Sequence, residues 1–221
     1  MKERPLPFSA AMIRAVQAGT KTETRRTRGL DRIDEAPDAW KLFGSVYSSA
    51  KAARSDKAGP DAFAFRNEGA ELITLRSPYG VAGDKLWFRE AWRTWIGYDA
   101  VPPSQIPHTA SIWYEADGTA PERFGKLRPA MFMCRWMSRK SATVVASYPE
   151  RLHDIAEGEA RAEGAIFHYG MRVGHSGWRH DDGDVYCTAR ASYFQLWNKI
   201  NGPGSAAKNP WIWVTKFEVT E

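Results

Sequence analysis

AGTKTETRR, residues 18–26, is the stretch from which the rest of the chain is read. After the glycine come three threonines, a lysine, a glutamate and two arginines, with no apolar residue among them. Such a segment is either a solvated turn or a set of polar groups gathered for a purpose. Just upstream, Ser9 can cap a short helix. Its apolar positions Met12, Ile13 and Val16 fall at the spacing of one buried face. Gly19 then ends that helix as a left-handed cap. In a regular strand Lys21 and Thr24 would point to opposite faces. Any contact between them therefore requires the backbone to turn or bulge just after Gly19.

The chain has 221 residues, enough for one large domain with a substantial core. Residues 1–221 read as a single domain with long insertions near residues 27–69 and 167–188. The ten tryptophans are core material, some of them possible stacking faces. A net charge of +5 suits an anionic partner without demanding one. Two distant cysteines give no disulfide framework, so a reducing cytoplasm is expected. The N-terminus has no signal-peptide core, and no stretch approaches the roughly 20 apolar residues of a membrane helix.

Downstream, residues 27–69 show little period, with one short hairpin expected around 62–66. KLWFREAW (residues 85–92) reads as a strand with Leu86, Phe88, Glu90 and Trp92 on one face. Residues 111–115 and 141–148 are further strands. A helix is expected from Asp154 to about Glu163, stopped by Gly164. Residues 168–187 read as a polar, glycine-rich loop. Residues 191–200 form an amphipathic helix with Phe194, Trp197 and Ile200 as its face. Residues 211–219 form the last strand, with Trp211, Trp213, Phe217 and Val219 on one side. Short strands, few helices and no βαβ rhythm argue for α+β around a mostly antiparallel sheet or small barrel.

GTKTETRR resembles the G-x-K-x-x-x-x-R signature of the ASCH family. Gly83-Asp84 before an apolar strand, the RAEG of residues 161–164 and the tail INGPG…NPWIWVTKFEV are similar to further elements of that group. The resemblance implies a PUA-like fold: a small, mostly antiparallel β-barrel with flanking helices and long loop insertions. Within the group, the small amidohydrolases that deacetylate N4-acetylcytidine use a Lys, a Thr three residues later and a distant Glu. These map to Lys21, Thr24 and Glu163 as catalytic residues, with Arg26 as the motif arginine and Glu90 as the rival acid. The substrate would be a small nucleoside, free or within RNA.

Amide hydrolysis needs a nucleophile, a base to activate it and an acid for the departing nitrogen. Thr24 supplies the hydroxyl. Burial and neighbouring arginines can make Lys21 a base. Glu163 can protonate the leaving amine, and no cofactor or metal is required. Substrate binding is assigned to Phe8, Arg26, Glu90, Arg135 and Trp136, the last as a stacking face beside cations. Glu90 is equally readable as a structural charge paired with Arg135. His168, His175, His180 and Cys187 fit no common zinc spacing. Two alternatives stay open: a PUA-like module that binds RNA or a modified base without chemistry, and a ribonuclease.

Overall fold

The computed structural model describes residues 1–47, 60–170, 176–180 and 183–220. The fold is α+β. The strands are β1 (Glu3–Pro7), β2 (Glu23–Arg26), β3 (Trp40–Val46), β4 (Ala62–Asn67), β5 (Leu72–Leu75), β6 (Lys85–Arg89), β7 (Trp92–Thr94), β8 (Ile112–Tyr114), β9 (Ser141–Arg151), β10 (Ile166–His168), β11 (Gly177–Arg179) and β12 (Trp211–Thr220). The helices are α1 (Ala10–Gln17), α2 (Asp31–Asp34), α3 (Glu157–Ala162) and α4 (Ala189–Asn201). No helix among the described residues is long and apolar enough to cross a membrane.

The central sheet runs β1-β6-β9-β12-β2. Its pairs are antiparallel except β1 with β6. The long β9–β12 ladder is its spine, with one register shift at Lys216/Phe217. β12 is buried on both faces. Trp211, Trp213 and Phe217 pack with α1 residues Ile13 and Val16. Ile212 and Val214 pack instead with Ala160 of α3 and Tyr193 and Trp197 of α4. The first face matches the sequence reading up to Phe217, while Val219 lies at the exposed end.

The sheets do not close into a barrel among the described residues, contrary to expectation. β1 and β2 remain the outer strands. β1 carries Pro5 and Pro7, which have no N–H to donate, so it suits an edge and not a closing ladder. A side chain spans the gap: Arg26 Nη2 donates to the Pro7 carbonyl at 2.6 Å.

Other expectations need correcting. The region 27–69 holds α2 and the first two strands of a three-stranded sheet β3-β4-β5, so the hairpin foreseen at 62–66 is its central strand. Residues 48–59 lie outside the described residues. The polar loop contains β11, which pairs antiparallel with β10 at the loop's start. β6 ends at Arg89, and the break at residues 90–91 turns Trp92 to the opposite core. It packs there with Trp87, not with Leu86 and Phe88. α3 begins later than foreseen, after a 3-10 turn at Leu152–Asp154. Glu157 instead accepts from the Ala189 and Arg190 N–H groups at 2.8 and 3.1 Å, satisfying the start of α4. The buried face of α4 is Ala189, Ser192, Tyr193 and Trp197, and Ile200 is exposed.

Candidate active site

Ser9 Oγ accepts from the Met12 N–H and starts α1 as the sequence foretells. At the other end Gly19 takes φ +72°, and the Thr20 and Lys21 N–H groups both return to the Ala15 carbonyl at 2.9 and 3.1 Å. The chain thus turns sharply after Gly19. Lys21 then bridges Glu163 at the end of α3, and the Thr22 N–H donates to the Ala162 carbonyl. Only afterwards does the chain join β12 as β2. Gly164 makes this contact close: at φ +103°, an added Cβ would lie 3.1 Å from the Ala15 Cβ and 3.5 Å from the Lys21 Cβ.

Lys21 is 0% exposed. Its ammonium donates to the Glu23 carbonyl (2.8 Å), the Glu163 carbonyl (2.9 Å) and Glu163 Oε2 (2.6 Å). An ammonium has three hydrogens, so all are engaged. The Thr24 hydroxyl is not among these partners. Nζ also lies 5.4 Å from the centre of the Phe8 ring. Burial pushes the Lys21 pKa down, and Arg26 and Arg25 add to this, while Glu163 opposes it.

Arg25, whose side chain is fully buried, touches four carboxylates. Nε reaches Glu150 at 2.9 Å, Nη2 reaches Glu159 at 3.1 Å, and Nη1 reaches Glu23 at 3.0 Å and Glu163 at 3.3 Å. Burial disfavours its charge, yet Glu163, Glu150 and Glu23 outweigh burial and raise its pKa. Lys216 adds contacts to Glu23 and Glu159 at 3.0 and 3.1 Å. The helix end where Glu163 sits is unfavourable for a carboxylate by roughly 0.3–1 kcal/mol. Two cations offset that here.

Two cavities flank Glu163, each between α1 and α4. The first, about 480 Å³, has Thr20, Gly164, Arg179 and His180 in its wall. The second, about 530 Å³, has Thr24, Arg26, Tyr79, Tyr193 and Trp197. Glu163, Ser9, Met12, Leu196 and Ile200 belong to both walls. Thr24 is 3% exposed and Glu163 5%, so each presents only a small polar surface. The structure brings together Lys21, Thr24, Glu163 and Arg26, with Phe8 beneath. The Phe8 ring lies 5.5 Å from the Arg26 guanidinium and packs on Phe88 and Phe217, so it is a floor and lines neither cavity.

Glu90, Arg135 and Trp136 also line neither cavity. Glu90 is buried and forms a two-point pair with Arg139, Nε–Oε1 2.9 Å and Nη2–Oε2 3.0 Å, not with Arg135. Arg135 pairs with Glu3 near the surface. Trp136 stacks on His108 at 4.8 Å. No cluster of three or more His, Cys, Asp or Glu able to hold a metal occurs among the described residues. His175 lies outside them.

Sequence reasoning missed Arg25 as the hub, and Tyr79, Tyr193 and His180. His180 is buried beside Glu163 and Lys21, with Nε2 on the Ala160 carbonyl (3.2 Å) and Nδ1 on Ser192 Oγ (2.9 Å). A carbonyl only accepts, so Nε2 carries the proton and Nδ1 accepts from the serine. Burial lowers its pKa from 6.5 to about 4. The neutral form is favoured in the fold while the unfolded chain takes up a proton first. Stability from this residue is therefore complete above pH 6.5 and is lost as pH falls from 6.5 to about 4. We expect on the order of 2–3 kcal/mol lost over that window in urea unfolding, and a flatter profile for His180→Gln. An equally steep profile in the variant would assign the loss to other groups.

No protein-family model, curated protein or solved structure matches this chain.

Proposed function

We propose that the chain is a cytoplasmic amidohydrolase that removes N4-acyl groups from cytosine nucleosides, on a scaffold akin to the PUA-like fold of ASCH proteins. The two thiols, Cys134 and Cys187, are both free, in keeping with a reducing compartment. One observation carries the hydrolase reading: a fully buried lysine sits 2.6 Å from a carboxylate that shares a cavity wall with a nearly buried threonine.

Burial disfavours the Lys21 ammonium, and the reaction begins with transfer of its proton across that contact to Glu163. The Lys21 amine then accepts the Thr24 hydroxyl proton as the oxygen attacks the acyl carbonyl. Glu163 gives its proton to N4 as the C–N bond breaks. Cytidine leaves and the acyl group remains as an ester on Thr24, which water hydrolyses. The step requires Nζ to release one of its carbonyl acceptors for the Thr24 hydroxyl. Met12, Leu196 and Trp197 offer the flat base an apolar wall. Purified protein incubated with N4-acetylcytidine is expected to release cytidine, followed by absorbance. Folded protein that releases none would end this reading.

One observation favours a second reading. All three Lys21 hydrogens are already engaged, as in a purely structural lysine. A binding module for a modified base or RNA would then hold N4-acetylcytidine without turnover.

A further inference from the structure

The second cavity holds a cationic corner that the hydrolytic step does not use. Thr24 and Arg26 share one face of β2, and Arg28, two residues beyond the strand, lines the same cavity. Arg25, next to them, is saturated by four carboxylates. Arg26 and Arg28 differ: neither forms an ion pair with a described carboxylate. Arg26 spends Nη2 on the Pro7 carbonyl, and its buried Nε has no hydrogen-bond partner. Arg28 is exposed at the rim. Tyr79, a nearly buried phenol, lines the same cavity, and Arg26 and Arg28 both act on its ionisation. Among the described residues Glu163 is the one acid lining this cavity.

Two guanidiniums that pair with no described carboxylate, together with a phenol hydroxyl, form a donor set for a tetrahedral oxyanion. Strand residues two apart are about 6.6–6.8 Å apart along the chain. Thr24 and Arg26 on β2 therefore stand roughly that far apart, within the length of one nucleotide, and Arg28 follows in the turn beyond the strand.

We infer that the ligand carries a phosphate, held by Arg26, Arg28 and Tyr79, so that a phosphorylated cytosine nucleotide is preferred over the bare nucleoside. This rests on the base-binding reading above. The anion site itself stands on two arginines that form no ion pair with a described carboxylate, and is testable apart from it.

The test is binding to the whole protein by calorimetry, with cytidine, cytidine 5′-monophosphate, the dinucleotide CpC and ribose 5-phosphate as probes. The monophosphate is expected to bind about tenfold or more tighter than cytidine, and Arg28→Ala to lose most of that difference. Tyr79→Phe should lose part of it. CpC binding as well as the monophosphate would point to a strand; preference for the monophosphate would point to a free nucleotide, and both support the anion site. Ribose 5-phosphate binding that Arg28→Ala abolishes, with no cytidine binding, would keep the anion site and remove the base reading. Cytidine binding as tightly as its monophosphate would overturn the inference and leave the base reading intact. Absence of binding by all four would overturn both.

Discussion

Arg25→Ala is expected to destabilise the fold by about 3–5 kcal/mol, the largest effect of any single change near the site. Arg25 is the point where β2, the end of β9 and helix α3 meet electrostatically. It contacts Glu23 on its own strand, Glu150 on β9, and Glu159 and Glu163 at α3. Without it, Lys21 still pairs with Glu163 and Lys216 with Glu23 and Glu159, but Glu150 loses its ion-pair partner among the described residues. Glu150 illustrates the strain: burial already raises its pKa, and Arg25 is the main influence opposing that. Arg25→Lys should recover only part of the loss, because an ammonium cannot span the directions a guanidinium fork covers. Urea unfolding near neutral pH measures both. A loss below about 1 kcal/mol for Arg25→Ala would mean that these carboxylates are solvated, as in surface pairs.

Lys21→Met is expected to lower deacylation by about 10²–10⁴-fold, the usual contribution of a positioned proton-transfer group. Methionine keeps an unbranched apolar stem in the pocket over Phe8, and Glu163 keeps its contact with Arg25 at 3.3 Å. The variant should therefore fold, which separates lost chemistry from lost structure. Glu163→Gln should fall by a similar factor, because an amide cannot pass a proton to the leaving nitrogen. Thermal unfolding beside steady-state rates gives both readouts. A folded Lys21→Met protein that retains turnover within about threefold would exclude Lys21 as the base.

Part of this was legible in the sequence for plain physical reasons. The Ser9 cap and the Gly19 stop are local chemistry, and α1 follows from them. The apolar face of β12 follows from strand alternation over a long run. The turn after Gly19 was required once Lys21 was asked to act, and the backbone makes it. Lys21 and Glu163 meet through a contact 142 residues apart in sequence, for which only family resemblance gave a signal.

Other features were hidden. β3 is largely exposed, so no buried face forces its residues to alternate. Glu90 was readable as catalytic or structural until Arg139 was seen clasping it. Trp136 stands beside cations in sequence but spends its face on His108. The role of Arg25 emerges only when four glutamates from three elements converge, and charge counting along the chain cannot show convergence. The second buried face of β12 depends on α3 and α4 packing behind it, which a single strand does not announce.

The central claim is that Thr24 takes the acyl group. Intact-mass and peptide mass spectrometry, on protein quenched in acid moments after mixing with N4-acetylcytidine, tests it directly. One acetyl group is expected on the peptide that holds Thr24, absent from Thr24→Ala. Cytidine released at an undiminished rate by Thr24→Ala, with no acetyl on any peptide, would contradict it.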